Sequence, residues 1–94
     1  MPQPTPPYDV VHHPDLCRFE VSTAGAPAVL TYALTSRGVV FEHTVVPAEA
    51  EGLGVGGALV RTALDWARAE RLDVTPQCSF VRAWLTRHPD HPTG

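Results

Sequence analysis

The sequence predicts one α/β domain built on a mixed sheet: an antiparallel meander plus one parallel strand, in the order β-β-β-α-β-α. Three observations predict it. Before residue 47 apolar residues alternate with period two in two runs, and a third run is rich in Val, Phe and Thr. The period then becomes helical from Val55. A short apolar run returns at Leu72, so strand, helix and strand form a crossover that is right-handed and places its two strands parallel. A length of 94 residues leaves room for a single domain with a modest core.

Taken in order, residues 1–16 hold five of the ten prolines, which fix φ and lack a donor. A flexible arm is therefore expected over residues 1–10, a domain over 11–91 and a tail over 92–94. Arg18–Thr23, Ala28–Thr35 and Gly38–Val46 read as the three strands of the meander. Ala24-Gly25-Ala26-Pro27 and Ser36-Arg37-Gly38 are the turns between them, and Pro47 ends the third strand.

In the long helix Val55, Leu59, Ala63 and Ala67 recur every four residues, widened by Val60 and Leu64. Arg61 and Asp65 fall opposite, at the spacing of an ion pair. Leu72–Cys78 is a short strand interrupted by Pro76. Ser79 is placed to cap a last helix with Phe80, Val81, Trp84 and Leu85 on one face, and Pro89 stops it.

Composition removes several function classes. A net charge of −3 opposes general binding to nucleic acid or anionic membranes. All seven cations are Arg, so no lysine Schiff base can form. Cys17 and Cys78 lie 61 residues apart without a CxxC pair, which fits two thiols in a reducing cytoplasm better than a disulfide or a zinc site. The N-terminus has neither the basic start nor the apolar run of a signal peptide, and no stretch is long enough to span a bilayer. His12-His13 and His88…His91 match no metal-ligand spacing.

Chemistry concentrates in Glu51-Gly52-Leu53-Gly54-Val55-Gly56-Gly57-Ala58, which joins the third strand to the long helix. Four glycines in six positions are costly to order and are useful where the backbone turns sharply or something approaches closely. The helix start adds unpaired amides and the positive dipole end, together a seat for a phosphate or diphosphate. Gly52, Gly54 and Gly57 also match the spacing of a dinucleotide fold, with Asp73 21 residues after Gly52. That fold needs its acid at the end of the second strand, whereas Asp73 opens it, and the chain has no room for the further strands. No lysine follows the glycines as in a nucleotide-hydrolysing loop.

The segment resembles the cofactor loop of the GNAT superfamily of N-acetyltransferases, Arg/Gln-x-x-Gly-x-Gly/Ala, with Gly54-Val55-Gly56 as its second half. The chain is similar in particular to the compact, single-domain, cysteine-containing GNAT-like family, from Arg18-Phe19-Glu20 to His88-Pro89-Asp90. The shared features are Phe41-Glu42-His43-Thr44, the loop with Ala58-Leu59, and Pro76-x-Cys78 followed by Phe80-Val81. The resemblance implies a minimal GNAT-like fold that binds acetyl-CoA. The diphosphate of coenzyme A would lie on the backbone of Gly52, Leu53, Gly54, Val55, Gly56 and Gly57. Pantetheine would enter beside Val45 and Val46, where the third and fourth strands diverge, and Pro76 suits that divergence because it cannot donate to the ladder. Glu51 departs from the family pattern and would repel a diphosphate instead of pairing with it.

Acetyl transfer to an amine needs a base, an oxyanion site and an acid. His43 lies two residues before Val45 on the same side, and histidine exchanges its proton near neutral pH. Glu42, on the other face, could act through water. Cys78 ends a strand before a helix, where the dipole favours a thiolate. It has three open roles: acyl-accepting nucleophile, acid toward coenzyme A, or small buried side chain. The last helix lacks the tyrosine that larger GNAT enzymes use as acid, and the chain lacks their helical insertion after the first strand, so the acceptor site should be open. The leading expectation is an acetyl-CoA-dependent N-acetyltransferase acting on an unidentified amine, directly or via Cys78. The other is a non-catalytic coenzyme A-binding module or partner subunit.

Overall fold

The computed structural model describes residues 8–91. Residues 1–7 of the expected arm and the 92–94 tail lie outside them. The chain forms β1 (Val10–His13), β2 (Arg18–Val21), β3 (Ala28–Leu34), β4 (Gly38–Val45), α1 (Val55–Ala69), β5 (Asp73–Pro76) and α2 (Ser79–Arg87). The five strands lie in sequence order, antiparallel except for the parallel β4–β5 pair that the crossover through α1 requires.

One strand was not expected. Val10–His13 pairs with Arg18–Val21 as an edge strand, so Val10 belongs to the sheet and not to an arm. Prolines on either side remove donors only at their own positions, and an edge strand needs one paired side. The turn back runs through Pro14–Leu16 and closes at Cys17, whose φ of +52° is left-handed.

Phe19, Val21, Leu30, Tyr32, Val39 and Phe41 point from the sheet onto Leu59, Val60, Ala63, Leu64 and Ala67 of α1. All are at most 3 % exposed, and each large side chain contributes roughly 1.5–3 kcal/mol of burial. The α1 stripe read from the sequence is thus the stripe that is buried. Residues alternating to the other face, among them Arg18, Glu20, Val29, Thr31 and Val40, stay half-buried.

The two helices lie side by side. Gly56 faces Phe80, Gly57 faces Trp84, and Asp65 Oδ1 meets His91 Nε2 at 3.2 Å. The expected Arg61–Asp65 pair is therefore replaced: Asp65 turns to His91, and Arg61 lies 5.7 Å from the Trp84 ring centre. Gly38 has a steric role as well, since a Cβ there would stand 2.0 Å from the Asp73 carbonyl oxygen of the neighbouring strand.

Candidate active site

The site begins with a break in the sheet. Along β4 the register moves from Tyr32↔Phe41 to Thr31↔His43, leaving Glu42 as an unpaired extra residue. This bulge changes the parity of the strand. Phe41 faces the core, Thr44 shares that side through its partner Leu30, and His43 and Val45 face outward. Strict alternation would have put His43 on the side of Phe41 and Glu42 opposite. Instead Glu42 and His43 line one cleft.

Pairing of β4 with β5 ends at Phe41↔Pro76. A last bond runs from the Cys78 amide to the Phe41 carbonyl at 2.9 Å. Beyond it the bulged strand and the proline-ended strand separate. A cleft of about 470 Å³ opens between them, lined by Glu42, His43, Thr44, Val45, Cys78 and Phe80 among others. His43, Val45 and Cys78 thus line one cleft, although 33 or more residues separate Cys78 from the other two; His43 and Val45 lie on the outer side of β4, and the Cys78 sulfur is beside core-facing Thr44.

Cys78, not Ser79, is the N-cap of α2; Ser79 is the first helical residue and is exposed. The cap position follows from the ladder: the Phe41 bond holds Cys78 extended, and its carbonyl already accepts the Arg82 amide at 3.1 Å. Its sulfur is 3.4 Å from Thr44 Oγ1. Burial pushes the thiol up, but hydrogen bonding from Thr44 and from the amides of Val81, Phe80 and Thr44 outweighs it, so Cys78 ionises below the ordinary cysteine value. Cys17 and Cys78 are both free thiols.

The glycine loop forms a second cleft of about 320 Å³, and Phe80 lines both it and the first. Val46, Gly52, Gly54, Val55, Gly56 and Gly57 line it. Gly52 and Gly54 have φ near +80°, a conformation other residues rarely adopt. Gly54 is the N-cap of α1, and having no side chain it leaves the first-turn amides uncapped. Leu53 differs from expectation: it lines neither cleft, its side chain packs on the core, and its carbonyl accepts the Tyr8 hydroxyl. Glu51 also lines the cleft.

The far wall was missed from the sequence. Phe80, Trp84, Arg87 and His88 of α2 face the loop. Their spacing of four, three and one residues is a helical stripe, and that period was the available signal. Among the described residues Arg87 of α2 is the one Arg that lines this cleft. His88 stacks on Trp84 with ring centres 4.0 Å apart and holds the Trp84 carbonyl through Nδ1 at 2.9 Å. No tyrosine of the described residues lines the His43–Cys78 cleft; Tyr32 is buried and bonded to His12.

Among the described residues no group of three His, Cys, Asp or Glu side chains is placed to hold a metal, and no helix is long and apolar enough to cross a membrane.

A mixed sheet whose parallel pair parts beside a capped helix, next to a glycine-rich helix start, defines a minimal GNAT-like domain. The chain belongs to the GCN5-related N-acetyl-transferase family, whose model matches residues 18–93. Membership points to acetyl transfer in general. A search of the curated proteins finds no match.

Proposed function

We propose that this protein transfers the acetyl group of acetyl-CoA to an amine, with Cys78 as intermediate carrier and His43 as base. The observation that carries the reading is that His43 and Cys78 line one cleft and that the glycine-loop cleft lies next to it, on the other side of Phe80. The residues present suit coenzyme A. Uncapped amides at Val55–Gly57 and the Arg87 guanidinium would hold the diphosphate, and the gap between β4 and β5 would take the pantetheine beside Val45 and Val46.

Bound there, the thioester supplies an activated acetyl group. The Cys78 thiolate attacks its carbonyl carbon, and coenzyme A leaves as the thiolate. Backbone amides near Val45 would stabilise the oxyanion that develops. His43 takes a proton from the acceptor ammonium. The free amine then attacks the acetyl-cysteine, the nitrogen gives up its second proton to the departing coenzyme A thiolate or to water, the C–S bond breaks as the amide forms, and the Cys78 thiolate is released. His43 is exposed and the outer sheet face beside it is uncovered, so the acceptor site is open, as suits an amine on a peptide or protein. Two free thiols suit a reducing compartment such as the cytoplasm.

The test combines thiol release with protein mass. On incubation with acetyl-CoA, the protein is expected to gain one acetyl group, and Cys78→Ser to gain none. Amine-dependent thiol release that survives in Cys78→Ser would replace the carrier route by direct transfer. Glu51 on the cofactor cleft and the absent phenol support a second reading, a coenzyme A-binding module without turnover. Binding without thiol release across a panel of amines would select it.

A further inference from the structure

A third cleft, about 430 Å³, continues the groove beyond the glycine loop. It shares Gly54, Gly57, Trp84 and His88 with the loop cleft, so the surface continues past the loop to Arg61 and Thr62 on the next turn of α1, with the Cys78 cleft adjoining at the other end across Phe80. Such a shape suits an extended ligand with sulfur at one end.

Arg61 is the cation at the far end. It is exposed and makes no ion pair among the described residues; Asp65, one turn on, lies beside His91 instead. Its guanidinium lies 5.7 Å from the centre of the Trp84 ring, which keeps it over the groove without consuming its hydrogen-bond donors. A planar fork of unused donors beside an aromatic surface suits a phosphate attached to a nucleoside.

We infer that Arg61 pairs with the ribose 3′-phosphate of coenzyme A and makes the protein selective for coenzyme A over its 3′-dephosphorylated form. The inference rests on the acetyl-CoA reading above and adds a specificity determinant to it. The two ligands share pantetheine, diphosphate and adenine, so any difference reports the 3′-phosphate alone. Arg61 is solvated, so the pairing is screened and the preference moderate.

The experiment is calorimetric titration of the full chain with coenzyme A and with 3′-dephospho-coenzyme A, at low and at physiological salt, for wild type and Arg61→Gln. Wild type is expected to prefer coenzyme A by about fivefold to tenfold at low salt. The preference should shrink with salt and fall to about one in Arg61→Gln, while affinity for the dephospho form stays unchanged. Equal affinities in wild type, or a preference that survives in Arg61→Gln, would overturn the Arg61 assignment and leave the cofactor reading standing. Failure of wild type to bind either ligand would remove both.

Discussion

Phe80 occupies the space a side chain on Gly56 would need: a Cβ built there would lie 2.4 Å from Phe80 Cζ. The glycine is thus a packing device that lets α2 close against α1. The positions with φ near +80°, Gly52 and Gly54, shape the loop itself. Loop geometry and helix packing divide the glycines between them.

Gly56→Ala should test that division. Alanine gains about 1 kcal/mol of helix propensity, whereas overpacking costs about 1–3 kcal/mol. A net loss of about 1 kcal/mol is expected in urea unfolding. In a Phe80→Ala background the same change should stabilise. A stabilised Gly56→Ala in the wild-type background would show that Phe80 yields freely.

Glu51→Arg should tighten coenzyme A binding about fivefold, since it removes a carboxylate from a cleft lined by first-turn amides and supplies a cation. Calorimetry measures this directly. An unchanged affinity would mean that Glu51 does not reach the diphosphate.

Cys78 should alkylate with a pH midpoint below the ordinary cysteine value, followed with iodoacetamide in a Cys17→Ser protein. Thr44→Val should move the midpoint up by removing one hydrogen bond. The sign for stability follows. The folded thiol loses its proton before the unfolded one, so stability rises with pH between the two values and is lost as pH falls through the folded one. A midpoint at or above the ordinary value would remove the thiolate from the proposed mechanism.

His12 stacks on Phe19 with ring centres 4.1 Å apart and bonds Tyr32 Oη at 2.6 Å. Burial, and then the neighbouring His13, hold its pKa below the ordinary histidine value. The unfolded chain therefore takes up a proton first, and stability should fall as pH drops below about 6.5. In His12→Gln the urea midpoint should depend less on pH over that range. An identical slope would assign the dependence to other groups.

Arg71→Gly should stabilise the fold by about 0.5–1 kcal/mol. Arg71 has φ +58° just past α1, where the Leu72 amide reaches back to the Ala67 carbonyl at 2.8 Å. Glycine takes that conformation without a Cβ penalty, and thermal unfolding would register the gain. A lower melting temperature would mean that the arginine side chain contributes more than the conformation costs.

Much was legible in the sequence because it is local. The four-residue recurrence of Val55, Leu59, Ala63 and Ala67 marks the buried side of α1 whatever it packs against. The glycine loop and Pro76 announce themselves by backbone restriction, a property of the residue itself. From these came the crossover and the parallel pair.

Other features depend on which distant segments meet. The bulge at Glu42 is a matter of register between β3 and β4, and a one-residue slip moves every later side chain to the other face. Cys78 rather than Ser79 caps α2 because a bond from Phe41 holds it extended. Asp65 pairs with His91 instead of Arg61, and Val10–His13 joins the sheet because β2 offers it an edge. Periodicity records how far a residue is from water and not what it touches. The sequence alone therefore determined the elements from Arg18 onward and their buried faces, while the edge strand, partners, caps and register were decided only by tertiary packing.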